Sequence, residues 1–217
     1  MNILLIDTCG EVGSVALADT DAAASKLVSA ELPGRSASER LIATVRELAG
    51  QAGVEVASLG AIAVVNGPGS FTGVRVGVSA AKGLAEALRI PVVAISRLAV
   101  MAELGGGSVL AVLDAGRGEF YCGFYHGQQC EREALLTRRE VEASAEGMRV
   151  VVCEASVAEA LVELRPVQVQ APTAADALPI ALRRIAAAEF EDLITLDANY
   201  LRKTDAEIFA KQTATRA

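Results

Sequence analysis

The sequence predicts an α/β protein built as two similar lobes, each a mixed or parallel sheet covered by helices. Three observations carry that prediction. The apolar, β-branched run 61–65 is followed by the tight loop Asn66-Gly-Pro-Gly-Ser70, a helix-competent stretch over 71–88 and a second buried-strand run over 91–95. This is a strand-helix-strand crossover, and parallel strands joined in that way need helices over the sheet. An apolar strand closed by an aspartate, a glycine-bearing turn and a returning strand occurs twice, at Asp7 and at Asp114. That single recurring feature suggests duplication. Finally, 52 % of the 217 residues are hydrophobic but only 4 % are aromatic, so a large core must be packed from Ala, Val, Leu and Ile, as helices on sheets allow.

Taken in order, residues 2–7 and 14–18 form a hairpin around Thr8-Cys9-Gly10-Glu11-Val12-Gly13. A third strand is expected over 25–31. Ser36-Ala-Ser-Glu39 fits a capping box and opens a helix through Gln51, in which Leu41, Ile42, Val45, Leu48 and Ala49 recur at helical spacing before Gly53 stops it. Gly105-Gly-Gly107 divides the chain, so lobes are expected at 1–104 and 105–217, with the last helix packing back on the first lobe. In the second lobe, strands 108–114 and 119–126 are joined by Ala115-Gly-Arg-Gly118. A strand over 149–153, a helix over 156–164 and an Ala-rich helix over 173–190 containing Pro179 follow. The tail beyond Ala210 reads as frayed.

Composition excludes several functions. The net charge is −7 and the basic residues are scattered, Arg138-Arg139 and Arg183-Arg184 being the densest pairs, so the chain alone should bind nucleic acid poorly. Cys9, Cys122, Cys130 and Cys153 make no C-x-x-C pair, against the common zinc and dithiol spacings, and they read as reduced thiols in a cytoplasmic protein. Cys9 and Cys153 adjoin apolar runs as small hydrophobes, a reactive Cys9 being the lesser alternative. The lone histidine, His126, reads as a surface strand-end residue and leaves no material for multi-histidine metal sites or a histidine-based triad. Tyr121 and Tyr125 share one strand face as core or rim residues. The start carries no secretory signal, and the apolar runs fall short of a membrane span.

The segment from Asn66 to Arg75 sits after a strand and before a helix, where backbone N–H groups can hold an anion. It is not a P-loop, because Val74 stands where the lysine belongs, nor a dinucleotide fingerprint, because Thr72 stands where the third glycine belongs. In the following helix Gly73, Gly77 and Ala81 recur every four residues beside Ala80 and Leu84. Spacing alone leaves two readings open for that face: packing against the sheet, or a helix-helix interface between subunits. Asp7 and Asp114 suit a hydrated Mg²⁺ and phosphates, yet strand-end aspartates are also ordinary turn residues, and the pattern favours the turn. Ser70 lacks the G-x-S-x-G context of a hydrolase, and no catalytic set remains.

The stretch Gly67-Pro-Gly-Ser-Phe-Thr-Gly-Val-Arg75, with Gly77 and Ala81-Lys-Gly-Leu-Ala85, closely resembles the signature of the TsaB (YeaZ) family: GPGSFTG[LIV]R, a small-residue helix and KGLA. Ile6-Asp7-Thr8, Leu113-Asp-Ala-Gly-Arg-Gly-Glu-Phe-Tyr121, Asn199-Tyr-Leu-Arg202 and Asp205-Ala-Glu207 match as well, so the likeness spans nearly the whole chain. Ala198 departs from it, where the family often has proline. The resemblance implies an actin-like (ribonuclease H-like) duplicated two-lobe fold with mixed sheets flanked by helices. It further implies a non-catalytic scaffold or activator that dimerises with the catalytic subunit TsaD, in the complex that transfers threonylcarbamoyl to adenosine 37 of ANN-decoding tRNAs. A homodimer in isolation, the ATPase TsaE as a further partner, and tRNA contact only through the complex are expected on the same ground. No cofactor is expected for this subunit, with ATP/ADP and Mg in the assembled complex.

Carried onto this sequence, the interface helices are 36–51 and 71–88, with Leu41, Val45, Leu48, Phe71, Thr72, Gly73, Arg75, Val76, Gly77, Ala80, Ala81 and Leu84 at the contact. Asp7, Thr8, Ser14 and Asp114 form the candidate vestigial nucleotide or phosphate site. The related catalytic subunit holds a metal through a histidine pair in its first interface helix, whereas Ser36-Ala-Ser-Glu-Arg40 has no histidine. No catalytic or metal residue is therefore expected. The alternatives are a stand-alone actin-like ATPase or small-molecule kinase using Asp7, Ser14 and Asp114 and, less favoured, a peptidase acting on TsaD.

Overall fold

The opening apolar run becomes β1 (Asn2–Asp7), the central strand of the first sheet in the structure, a computed structural model that describes residues 1–21, 26–32 and 37–202. On one edge β1 pairs antiparallel with β2 (Gly13–Asp19), placing Asp7 opposite Ser14, and β2 pairs with β3 (Lys26–Leu32). On the other edge it runs parallel to β4 (Leu59–Val65), which runs parallel to β5 (Val92–Ile95). The order is β3-β2-β1-β4-β5. The crossovers are α1 (Ala37–Ala52) and α2 (Phe71–Leu88), which touch each other across the sheet. Ile3, Leu4, Leu5 and Ile6 are all fully buried, so both faces of β1 are covered, and the strand therefore reads as a continuous apolar run.

The second sheet repeats the plan. β6 (Ser108–Gly116), β7 (Glu119–His126) and β8 (Gln129–Thr137) form an antiparallel meander, and β6 runs parallel to β9 (Arg149–Val152) and β9 to β10 (Val167–Gln168). Its order is β10-β9-β6-β7-β8. Counted outward from the central strand, each sheet has two antiparallel pairings on one side and two parallel pairings on the other. The crossovers here are α4 (Arg138–Ser144) and α5 (Ala155–Ala160). The duplication expected from Asp7 and Asp114 is thus a duplication of topology.

The lobes are tied by exchanging helices. α3 (Arg97–Gly105) follows the first sheet but packs Leu98, Met101 and Ala102 on Val109, Ala111 and Leu113 of β6. The alternate residues Leu110 and Val112 face Val141 of α4 and Val157 of α5, the period-two division of a sheet covered on both faces. In return the segment after β10 crosses to the first lobe, where Ala174, Ala177 and Ala181 join its core. Ala181 belongs to α6 (Leu178–Ala186), which also pairs Arg183 with Glu103 of α3 at 2.6 Å.

Several elements differ from expectation. The helix expected over 173–190 is a 3-10 turn (Ala175–Ala177) followed by α6, because Pro179 falls in the first turn of α6, where its missing N–H is not needed. The helix expected over 156–164 is α5 followed by a 3-10 turn (Val162–Leu164). β8, α4 and α3 were not expected. β8 is a largely exposed edge strand whose charged residues hide its alternation, and α3 is short and apolar, without a readable period. The strand start at Ser25, the capping-box Ser36, the Asp205-Ala-Glu207 match and the tail beyond Ala210 lie outside the described residues.

Candidate functional site

The ends of β1 and β6 and the starts of α2 and α3 surround a cleft of about 700 Å³ between the lobes. At the end of β1 the backbone N–H of Cys9 donates to Asp7 Oδ1 at 2.8 Å, fixing an aspartate turn. The Thr8 hydroxyl donates to the Gly73 carbonyl at 2.6 Å, and the Ser70 N–H donates to the Cys9 carbonyl at 2.8 Å. Ser70 also caps α2, accepting from the Gly73 N–H at 3.3 Å. The start of α2 is therefore fastened to the β1 loop from both directions.

The glycines make that fastening sterically feasible. A Cβ at Gly69 would fall within 3.0 Å of the Cys9 carbonyl oxygen, one at Gly73 of the Thr8 carbonyl oxygen, and one at Gly77 of the Thr8 hydroxyl. The small face of α2 is thus closed against this chain's own β1 loop. Gly77 and Ala81 are buried there, and Gly73 is half-buried. Leu41, Val45 and Leu48 of α1 likewise lie in the first lobe's core. Leu41, Val45, Leu48, Gly77 and Ala81, expected at the contact, are instead buried within this chain, because the sheet and the β1 loop take the apolar stripe of each helix. The residues left on the open side are Phe71, Thr72 and Arg75, exposed, and Val76, Ala80 and Leu84, half-buried. Ile42 of α1, 40 % exposed, joins them and was read from its spacing as part of the buried stripe.

The four candidate phosphate-site residues do not act alike. Thr8 and Asp114 line the cleft. Ser14 is turned to structure: its oxygen accepts the backbone N–H of Ala174 at 2.8 Å in a buried setting. It therefore pins the returning C-terminal segment and does not face the cleft. Ser14→Ala is expected to lower stability by about 1–2 kcal/mol by stranding that N–H, read as a shift in the urea unfolding midpoint. A phosphate ligand for Ser14 would instead predict a stability near that of the unmodified chain. Asp7 is buried, its Oδ2 has no hydrogen-bond partner, and burial raises its pKa against the lowering effect of Arg97.

Two cleft residues were not expected. Arg97, the first residue of α3, is only 6 % exposed, and its Nε finds no hydrogen-bond partner. Its guanidinium lies over the β1 loop, so that a Cβ at Gly10 would stand 2.8 Å from Nη2. Glu154 follows β9 and accepts the Asp114 N–H at 2.8 Å; burial raises its pKa, partly offset by that bond and by Arg97. Nothing in the local sequence marks Arg97, but Glu154 could have been found from the duplicated plan, as an acid just beyond a parallel strand end. Cys9 is buried, its thiol donates to the Val65 carbonyl at 3.1 Å, and burial pushes its pKa well up, which disfavours the reactive thiolate. His126 is exposed at the end of β7, 3.3 Å from Glu131. Among the described residues no three His, Cys, Asp or Glu side chains converge as a metal site, and no helix is long and apolar enough to cross a membrane.

Two topologically equivalent sheets, exchanged third helices and a cleft where the central strands end define a duplicated actin-like, ribonuclease H-like α/β protein. The TsaD family, described as tRNA N6-adenosine threonylcarbamoyltransferase, matches residues 28–209. The Escherichia coli tRNA threonylcarbamoyladenosine biosynthesis protein TsaB is 32 % identical over 93 % of this chain and 95 % of its own length. Its Bacillus subtilis counterpart of the same name is 36 % identical over 58 % of this chain and 55 % of its own length. A crystal structure from Pseudomonas aeruginosa, described as an uncharacterized protein with similarity to peptidase YEAZ, superposes with a TM-score of 0.80 at 32 % identity, covering 93 % of this chain and 99 % of that one. The chain belongs to the TsaB family, one branch within the breadth of the TsaD family match.

Proposed function

We propose that this chain acts in tRNA threonylcarbamoyladenosine biosynthesis as a partner subunit that docks the catalytic TsaD through the open side of α1 and α2. The observation that supports the reading is an exposed aromatic-arginine cluster on that side. The Arg75 guanidinium lies 3.8 Å from the Phe71 ring centroid, Arg75 Nε donates to the Tyr200 hydroxyl at 2.6 Å, and Phe71 remains 56 % exposed. A shallow hollow of about 330 Å³ opens beside it between Phe71, Arg75, Val76 and Ser79. Aromatic and arginine side chains around a central pocket are the usual anchors of a protein interface. Val76, Ala80 and Leu84 continue the face along α2, and Ile42 stands on the open side of neighbouring α1.

In this reading the chain contributes no transfer chemistry of its own. TsaD joins the threonylcarbamoyl group to tRNA, ATP/ADP and Mg serve the assembled complex, TsaE resets it, and tRNA is met only through the complex. The same face would form the homodimer of the isolated subunit, and the work takes place in the cytoplasm. The experiment mixes the purified chain with TsaD of the same organism, follows the mass by light scattering and assays tRNA modification. Val76→Arg and Ala80→Arg are the appropriate variants, since Gly77→Arg would clash inside the subunit. The unmodified chain is expected to form an active heterodimer, and each Arg variant, still folded, is expected to weaken it about 100-fold or more. An unmodified chain that ignores TsaD but hydrolyses ATP, or phosphorylates a small molecule alone, would replace this reading with the stand-alone enzyme.

A further inference from the structure

Arg97 is a cation more than nine-tenths buried that lies near enough to the buried Asp7 to lower the pKa of that carboxyl, yet its Nε has no hydrogen-bond partner among the described residues. A buried donor left without a hydrogen bond is unfavourable, so such a side chain is retained where something else completes it. It reaches the wall of the cleft, above Gly10 and beside Thr8. The N-terminus of α2 opens into the same cleft through Thr72 and Gly73, and the first turn of α2 carries no acidic residue. The positive end of an 18-residue helix and a guanidinium with an unpartnered Nε thus face one space. The remainder of the wall is acidic, with Glu11, Asp114 and Glu154.

We propose that the cleft binds a small molecule through one oxyanion, a carboxylate or phosphate group seated on Arg97 at the start of α2, while hydrogen-bond donors on the same molecule face Asp114 and Glu154. The acidic wall sets the class. A ligand carrying a single anionic group and several N–H or O–H groups satisfies both sides, whereas a bare polyphosphate brings several negative charges towards three carboxylates. The guanidinium offers paired donors to a planar carboxylate or to two phosphate oxygens. The cleft shares Thr72 and Val76 with the edge of the docking side of α2, so the binding test is made on the isolated chain, with no TsaD present.

The test uses the isolated full chain in a buffer free of phosphate and carboxylate, with sodium chloride holding ionic strength constant. Inorganic phosphate, acetate, glycine and ADP, the last with and without Mg²⁺, are titrated by calorimetry and by thermal unfolding. Phosphate, or acetate and glycine, is expected to raise the melting temperature, as any ligand selective for the folded state does. Which of the two groups does so identifies the oxyanion, and glycine against acetate reports the ammonium donor. Arg97→Met is expected to weaken the binding about tenfold or more, and Arg97→Lys, which keeps a cation near Asp7 but loses the paired donors, is the second variant and is expected to weaken it less. Glu154→Gln keeps an acceptor for the Asp114 N–H but removes a negative charge, and is expected to tighten inorganic phosphate. The proposal is overturned if no oxyanion shifts the unmodified chain, the result expected if a water shared by Arg97 and Asp7 satisfies both. It is equally overturned if Arg97→Met binds as well as the unmodified chain, or if only Mg-ADP binds and does so without regard to Arg97.

Discussion

Gly73→Val is expected to lower the folding stability by about 3 kcal/mol or more, whereas Gly83→Ala ten residues on in the same helix is expected to raise it by about 0.5–1 kcal/mol. Both positions are helical, so intrinsic propensity favours replacement of either glycine. What separates them is the surroundings of the added Cβ. At Gly83 nothing lies within 4 Å; at Gly73 the Cβ would overlap the Thr8 carbonyl, a backbone atom held in place because Thr8 also donates its hydroxyl to the Gly73 carbonyl. Relief requires moving α2 away from β1, which breaks the Thr8 and Ser70 bonds together and opens the floor of the cleft. Urea unfolding of the two variants beside the unmodified chain gives the comparison. A Gly73→Val cost no larger than the gain at Gly83 would mean that α2 is not seated on the β1 loop in solution, and the reassignment of its small-residue face would fail.

Those glycines also show where sequence reading stops. Their four-residue spacing correctly announced a close approach on one face of α2, but spacing carries no information about what approaches. The parallel crossover was legible because a buried parallel strand must be apolar on both faces, as 61–65 is, and because the helix after it runs 18 residues without a break. The duplication was legible at one point, the two strand-end aspartates, since the rest of each repeat is defined by hydrogen-bond topology and not by residue identity. β8 escaped because an edge strand has no second neighbour to force apolar alternation on it. Asp114 was marked by its strand end and Thr8 by the resemblance, and both line the cleft, but Ser14 does not, because it holds Ala174, 160 residues away. Arg97 was unreadable for the same reason: its burial comes from the folding of the second lobe over α3, a long-range fact that no local pattern records. The resemblance to the TsaB family named the two helices as wholes and could not sort each helix's sheet side from its open side.

Long-range placement of this kind concentrates in one carboxylate. Glu133 of β8 accepts from the Tyr125 hydroxyl at 2.6 Å and from the Ser96 hydroxyl on one oxygen, and from Asn199 Nδ2 at 2.7 Å on the other. Ser96 is also the cap of α3, its oxygen accepting the Leu98 N–H at 3.2 Å. Asn199 in turn is bound by its N–H to the Asn66 carbonyl at 2.7 Å. One side chain of the second lobe thus holds the start of the exchanged helix and the C-terminal segment lying along the first lobe. Burial, with the Glu133 charge as a second cause, keeps Tyr125 protonated and hence a donor. Glu133→Ala is expected to lower stability by about 3 kcal/mol, since it strands three donors that lie in partly buried positions. Glu133→Gln, which keeps one acceptor oxygen, is expected to lose about half as much. Urea unfolding supplies the totals, and amide exchange supplies the location, with protection at Asn199 falling before that of the β1 core. Loss of stability without faster exchange at Asn199 would show that the carboxylate steadies only β7 and β8, and that the lobes are joined by the exchanged helices alone.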